Sequence, residues 1–191
     1  MIIVLAGRRT DPLDAPVPRF PLTQGEHVQQ QLYDLFRQEK ATTLVCSGAC
    51  GTDLLALRAA GLAHMSRYML LPFATRRFRE LSVIDRPGEW GPTFDVLHKE
   101  IQHEGQGHVK VFPTTHDLVR DLVRLNNKIL AKGLELAKNL SPSAKKEGVL
   151  AVIVWEGQSR GVDDFTATFA QQARNVGIAI KEVSTLSLMV R

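Results

Sequence analysis

The chain has 191 residues, 44% of them hydrophobic and 23% charged, with a formal net charge of +4. This balance excludes a disordered chain and allows one compact domain with a substantial core. The small positive excess suits an anionic small ligand and is too weak to argue for nucleic acid by itself.

Ile2 to Ala6 is an aliphatic run closed by Gly7, which predicts a fully buried strand. Asp11 to Pro21 carries four prolines and reads as a loop. Thr23 and Glu26 have capping-box spacing, opening a helix to about Lys40 with Val28, Leu32, Leu35 and Phe36 on its buried face. Thr43 to Cys46 is the second strand, and an amphipathic helix from Leu54 to Met65 follows a loop of small residues. Arg67 to Leu71 is a third strand stopped by Pro72. Phe73 to Pro92 reads as a long irregular region, Thr93 to His103 as a helix, and His108 to Phe112 as a fourth strand. Asp117 to Asn139 has helical periodicity, and Ser141 to Gly148 is a polar connection. Val149 to Trp155 is the strongest strand, followed by a helix from Val162 to Val176 and a last strand from Ile178 to Val183. Alternating strands and helices predict an α/β fold: a single Rossmann-like three-layer domain over residues 1–191, with a mostly parallel sheet.

Met1 to Gly7 is too short for a signal-peptide core and lacks a basic start. No stretch approaches the roughly 20 apolar residues of a bilayer span. The two cysteines, Cys46 and Cys50, flank a tight loop that a disulfide would distort. The expected setting is a reducing cytoplasm, without membrane contact. Cys46 reads as a buried strand residue, and Cys50 as a small loop residue made reactive by a nearby helix N-terminus. The six histidines are scattered, so no metal site is expected, and no cofactor.

Ligands of parallel sheets bind at the carboxyl ends of strands, near the switch in strand order. Four loops occupy that position. The central one is Ser47-Gly48-Ala49-Cys50-Gly51-Thr52-Asp53. Glycines allow close backbone approach, and the following helix N-terminus offers N–H groups to a phosphate. The loop is neither a Walker loop nor G-x-G-x-x-G. Ser47 and Thr52 carry hydroxyl donors, while Asp53 either caps the helix or accepts from a ribose hydroxyl. In Gly7-Arg8-Arg9-Thr10, Gly7 permits a sharp turn, and Arg8 or Arg9 forms a fork to a phosphate or carboxylate, or a surface salt bridge. Pro72 and Phe73 end the third strand, with Phe73 either core or a base-stacking ring. Arg77, Phe78 and Ser82 lie where they would close over a ligand. Trp155 is a candidate base platform beside Gly157 and Gly161. Glu156, Asp163 and Asp164 are candidates for ribose recognition or acid–base catalysis, or plain helix caps.

These pieces resemble the SLOG superfamily: Leu5-Ala6-Gly7-Arg8-Arg9, the Ser47–Asp53 loop, Leu71-Pro72-Phe73 with Phe78 and Ser82-Val83, and Trp155-Glu156-Gly157 with Gly161. SLOG proteins are Rossmann-like, related to the lysine-decarboxylase-like phosphoribohydrolases and to the DNA-processing protein of transformation. The resemblance implies a pocket for a nucleotide or nucleotide derivative, such as NAD or ADP-ribose. It admits either a sensing or regulatory role or cleavage of an N-glycosidic bond. The phosphoribohydrolase loop P-G-G-x-G-T-x-x-E has no counterpart at Glu156 to Thr166. Aligning it on Gly51-Thr52 puts Leu55 at the glutamate position. Binding is therefore the expectation, with N-glycoside hydrolysis or nucleoside transfer as the alternative, carried by Glu156, Asp163 or Asp164. Kinship with the DNA-processing protein and the run Arg76-Arg77-Phe78-Arg79 suggest nucleic-acid binding, but the 6% aromatic content argues against it. An exposed apolar helix face would permit a homo-oligomer.

Overall fold

The computed structural model describes residues 1–105, 108–140 and 148–186. Six parallel strands form one sheet in the order β4-β3-β2-β1-β5-β6. They are β1 (Ile2–Gly7), β2 (Thr43–Cys46), β3 (Ser66–Leu71), β4 (Val109–Val111), β5 (Val149–Trp155) and β6 (Ala179–Ser184). The helices are α1 (Gly25–Gln38), α2 (Thr52–Leu62), α3 (Thr75–Ser82), α4 (Trp90–Glu104), α5 (Leu118–Leu140) and α6 (Phe165–Asn175).

The two-residue period of each strand divides the core between the two faces of the sheet. Ile3, Leu5, Leu44, Cys46, Met69 and Val152 pack with α1, α2 and α4. Ile2, Val4, Val45, Leu70 and Ile153 pack with α5 and α6. Burial on both sides explains why the central strands are continuous aliphatic runs. The three-layer α/β architecture is the one expected from the alternating pattern.

The chain steps outward from β1 to β4, then returns to place β5 beside β1 on its other side. Gly7 pairs with Val154 at the carboxyl end of this junction. The switch in strand order therefore lies between the loops after β1 and β5.

Three local expectations change. The segment from Phe73 to Pro92 contains α3, and α4 begins at Trp90 rather than Thr93. Helix α3 hides because only Phe78 and Ser82 face inward, an i, i+4 pair too short to show a period. Pro92 is no obstacle to α4, since a first-turn residue needs no intrahelical N–H bond. Thr23 does not open a capping box. A 3-10 turn, Leu22–Gln24, leads directly into α1, with no side-chain capping hydrogen bond. Helix α6 starts at Phe165, not Val162, whose side chain is 93% exposed. The Ser141 to Gly148 connection lies, apart from Gly148, outside the described residues. Among the described residues, no helix is long and apolar enough to cross a membrane.

The α5–sheet contact depends on Gly133. A Cβ there would lie 2.3 Å from Val4 Cγ1, within the closed core. Gly133→Ala gains up to about 1 kcal/mol of helix propensity. It costs about 1–3 kcal/mol in overpacking, because fully buried Val4 has no free space to move into. We expect a net loss, read as a lower urea midpoint.

Candidate functional site

Arg8 follows β1 and is 2% exposed. Its Nε donates to Glu156 Oε2 at 2.7 Å and its Nη2 to Glu156 Oε1 at 3.2 Å, a bidentate fork. Nη1 donates to Asp164 Oδ1 at 2.6 Å, and Nη2 also reaches the Gln158 carbonyl at 2.7 Å. Arg19 adds a second guanidinium to Glu156. Arg8 thus takes the carboxylate, not the phosphate, as its partner, and clasps the loop after β5 to the loop after β1.

The two carboxylates are saturated. Asp164 caps α6, accepting from Thr166 N and Ala167 N at 3.1 Å and from Arg160 N at 2.7 Å. Burial alone would raise its pKa, but the Arg8 hydrogen bond and these N–H groups outweigh it and hold the carboxyl at about 2. Glu156 is lowered in the same way, burial being outweighed by Arg8 and Arg19. Asp163 is exposed, with φ of +63° in the turn before α6.

The small-residue loop after β2 is also spent largely on the protein itself. Cys50 N donates to Ser82 O at 2.9 Å, and Thr52 donates to Arg8 O through both N, at 3.1 Å, and Oγ1, at 2.8 Å. Gly51 has φ of +81°, and a Cβ on it would lie 2.7 Å from Thr10 N. The same crowding holds at Gly7, where a Cβ would meet Thr52 Cγ2 at 2.5 Å. These glycines let two loops approach one another. Gly48 packs under Met69 and Phe94. Cys50 is not activated: burial pushes its thiol to about 12, against the expectation of a reactive cysteine at a helix N-terminus. Cys46 is a buried strand residue, as expected.

Asp53 has a different character. It lies in the first turn of α2, beyond the cap position held by Gly51. Its Oδ2 accepts from the Ser47 hydroxyl and, at 3.4 Å, from Ala49 N. Burial pushes its carboxyl up to about 6, and the Ser47 and Ala49 hydrogen bonds only partly oppose this.

Asp53 and Ser47 line a cleft of about 300 Å³ at the carboxyl ends of β1 and β2. One wall is the turn from Gly7 to Pro12. Another wall is the apolar face of α5, with Leu118, Leu122, Leu125 and Ile129. Ser82 and Arg86, and Arg160 and Thr166 from the connection between β5 and α6, also line it. Asn126 donates to Phe165 O at 2.9 Å and fixes α5 against α6 beside the cleft. The volume is at the lower end of the roughly 300–1,000 Å³ typical of small-molecule sites.

Of the residues expected from sequence, the cleft brings together Gly7, Arg8, Arg9, Ser47, Ala49 and Asp53, and also Phe78 and Ser82. Gly48, Cys50, Gly51 and Thr52 are not cleft-lining residues. Phe73 is buried core against Phe78, with ring centroids 6.0 Å apart, and Pro72 is buried beside it. Trp155 Nε1 donates to Glu182 at 2.8 Å, and Trp155, Gly157 and Gly161 are not cleft-lining residues. Thr10, Arg86, Arg160 and the α5 face were not expected. The leucines of α5 read as ordinary helical periodicity, and Arg86 lies in a stretch without a pattern.

The basic run on α3 is a solvated face with local partners. Arg76 pairs with Glu80 at 3.2 Å, Arg79 with Asp95 at 2.8 Å, and Arg77 sits over the Phe73 ring at 5.2 Å. Among the described residues, no three His, Cys, Asp or Glu side chains form a metal-ligand group. No protein-family model and no curated protein matches the chain.

Proposed function

We propose that this chain binds a nucleotide or nucleotide derivative in the cleft at the carboxyl ends of β1 and β2, in a sensing or regulatory role. One observation carries the reading: the cleft beside the strand-order switch combines an apolar wall, a buried carboxyl acceptor and a guanidinium rim. The α5 leucines suit the faces of a base. Asp53 suits a ligand hydroxyl or amino donor, and the arginines suit phosphate. Of the pieces that resemble SLOG proteins, Gly7–Arg9 and Ser47, Ala49 and Asp53 line the cleft and agree with the same ligand class. The volume favours a nucleoside monophosphate over a whole dinucleotide.

Cleavage is the second reading, and Asp53 is the observation that favours it. A carboxyl held at about 6 in a closed cleft has the character of an acid–base group. As base it would take a proton from water attacking the anomeric carbon. The carbon–nitrogen bond would break, and the departing base would take its proton from solvent. Glu156 and Asp164 suit this role less, since Arg8 engages both.

Isothermal calorimetry against nucleosides, nucleoside monophosphates, ADP-ribose and NAD tests the reading. We expect at least one monophosphate to bind with 1:1 stoichiometry. Chromatography of the same samples separates the roles: no free base supports binding alone, and base release that Asp53→Asn abolishes supports cleavage. No binding by any member at millimolar concentration would overturn the proposal.

A further inference from the structure

The geometry points to Arg9, Thr10 and Arg86 as the subsite for the ligand's phosphate, in place of the α2 N-terminus. This rests on the nucleotide reading of the cleft and gives the ligand a direction within it.

The α2 end of the cleft is poorly suited to an anion. The N–H groups of Cys50 and Thr52 are already bonded, and Ala49 N faces Ser47 and Asp53. Asp53, ionised above pH 6, stands at that end and repels phosphate.

The turn after β1 packs against this loop at Gly51 but offers a different environment. Thr10 is 1% exposed, and among the described residues its Oγ1 has no hydrogen-bond partner beyond the weak one of the Cys50 thiol. The Nε of Arg86 is buried and has no hydrogen-bond partner among the described residues. Both residues line the cleft. Buried donors without acceptors are rare in folded proteins, and two in one cleft indicate an acceptor supplied from outside.

Charge agrees. Arg9 Nη1 lies 2.6 Å from Asp85 Oδ2, and Arg86 Nη1 lies 3.8 Å from the same oxygen. One carboxylate thus serves two guanidiniums, leaving a positive excess. Arg9 and Arg86 both reach Asp85, and Arg9, Thr10 and Arg86 line the same cleft, so they form one cluster. A phosphoryl group there accepts from the Arg86 and Arg9 guanidiniums and, once the Thr10 and Arg86 side chains turn their covered donors toward it, from Thr10 Oγ1 and Arg86 Nε. The sugar or base then reaches the Ser47–Asp53 floor, where the carboxylate accepts from a hydroxyl or amino group.

The test compares AMP with adenosine, GMP with guanosine, and inorganic phosphate alone, on the wild-type chain, Arg86→Gln and Thr10→Val. We expect each variant to weaken monophosphate binding about tenfold, the scale of one charge-assisted hydrogen bond, while nucleoside affinity stays unchanged. Thr10→Val is expected to melt no lower than wild type, because the lost hydroxyl has no strong partner. If both variants keep the wild-type ratio of monophosphate to nucleoside affinity, the subsite is wrong and the nucleotide reading stands. If only inorganic phosphate binds, and Arg86→Gln abolishes it, the subsite stands and the nucleotide reading falls. If no probe binds the wild-type chain, both fall.

Discussion

Arg8→Met is expected to cost about 3–5 kcal/mol, the penalty of leaving buried charges without their partner. The methionine fills similar space but leaves Glu156 and Asp164, 7% and 1% exposed, without their shared guanidinium. Arg19 still reaches Glu156, so Asp164 bears most of the loss. A domain of this size has about 5–15 kcal/mol of total stability, so the variant stands near the folding threshold. Urea unfolding checks this, with a fall in midpoint at unchanged slope. Arg8→Lys should fall between the two, because an ammonium keeps the charge but not the fork. The pH dependence has a definite sign. Asp164 lies at about 2 in the folded chain against an ordinary 3.8, so its contribution is full above pH 4. Wild type therefore loses stability as pH falls from about 4 towards 2, and Arg8→Met should lose less over that interval. A variant that unfolds at the wild-type midpoint would show that Arg8 does not hold the two loops together.

Asp53→Asn should act in the opposite direction and stabilise the chain. Asp53 is raised from 3.8 to about 6, so the folded chain holds a proton that the unfolded chain has released over this interval. Stability is then highest near pH 4 and declines as pH rises to about 6, above which the full cost of the buried carboxylate remains. That shift corresponds to about 3 kcal/mol at 1.36 kcal/mol per pKa unit. Asparagine keeps an acceptor for the Ser47 hydroxyl and the Ala49 N–H but carries no charge. The gain should therefore approach about 3 kcal/mol at pH 7 and vanish near pH 4. Denaturant titrations at both pH values measure it. Stabilisation that is equal at the two pH values would mean that the carboxyl is not desolvated in the folded chain. A group that destabilises the empty fold at neutral pH is consistent with retention for ligand contact.

The layers of this fold are visible in the sequence because their cause is local. Strands β1 and β5 are buried on both faces and so read as unbroken aliphatic runs. Helices α1 and α5 each bury a single stripe and so keep a period. Where burial rests on one or two side chains, the pattern vanishes. Helix α3 buries Phe78 and Ser82 among arginines and reads as irregular. The site divides along the same line. The turns at Gly7 and Gly51 stand out in the sequence because loop crowding requires glycine there, but the partners that crowd them are not local. Arg8 looks like an anion fork, and it is one, yet its carboxylates lie 148 and 156 residues away. The cleft wall on α5 has the composition of ordinary core, and only the third dimension distinguishes Leu122 facing the cleft from Leu130 facing the sheet.

A crystal structure with the tightest-binding nucleoside monophosphate tests the central claim most directly. Density is expected between the Gly7–Pro12 turn and the first half of α5. The phosphate should lie within hydrogen-bond distance of Thr10 Oγ1 and Arg86 Nε, and a hydroxyl or amino group should reach Asp53. Ligand density elsewhere, such as the open groove beside Trp90 and Arg58, with an empty cleft, would contradict it.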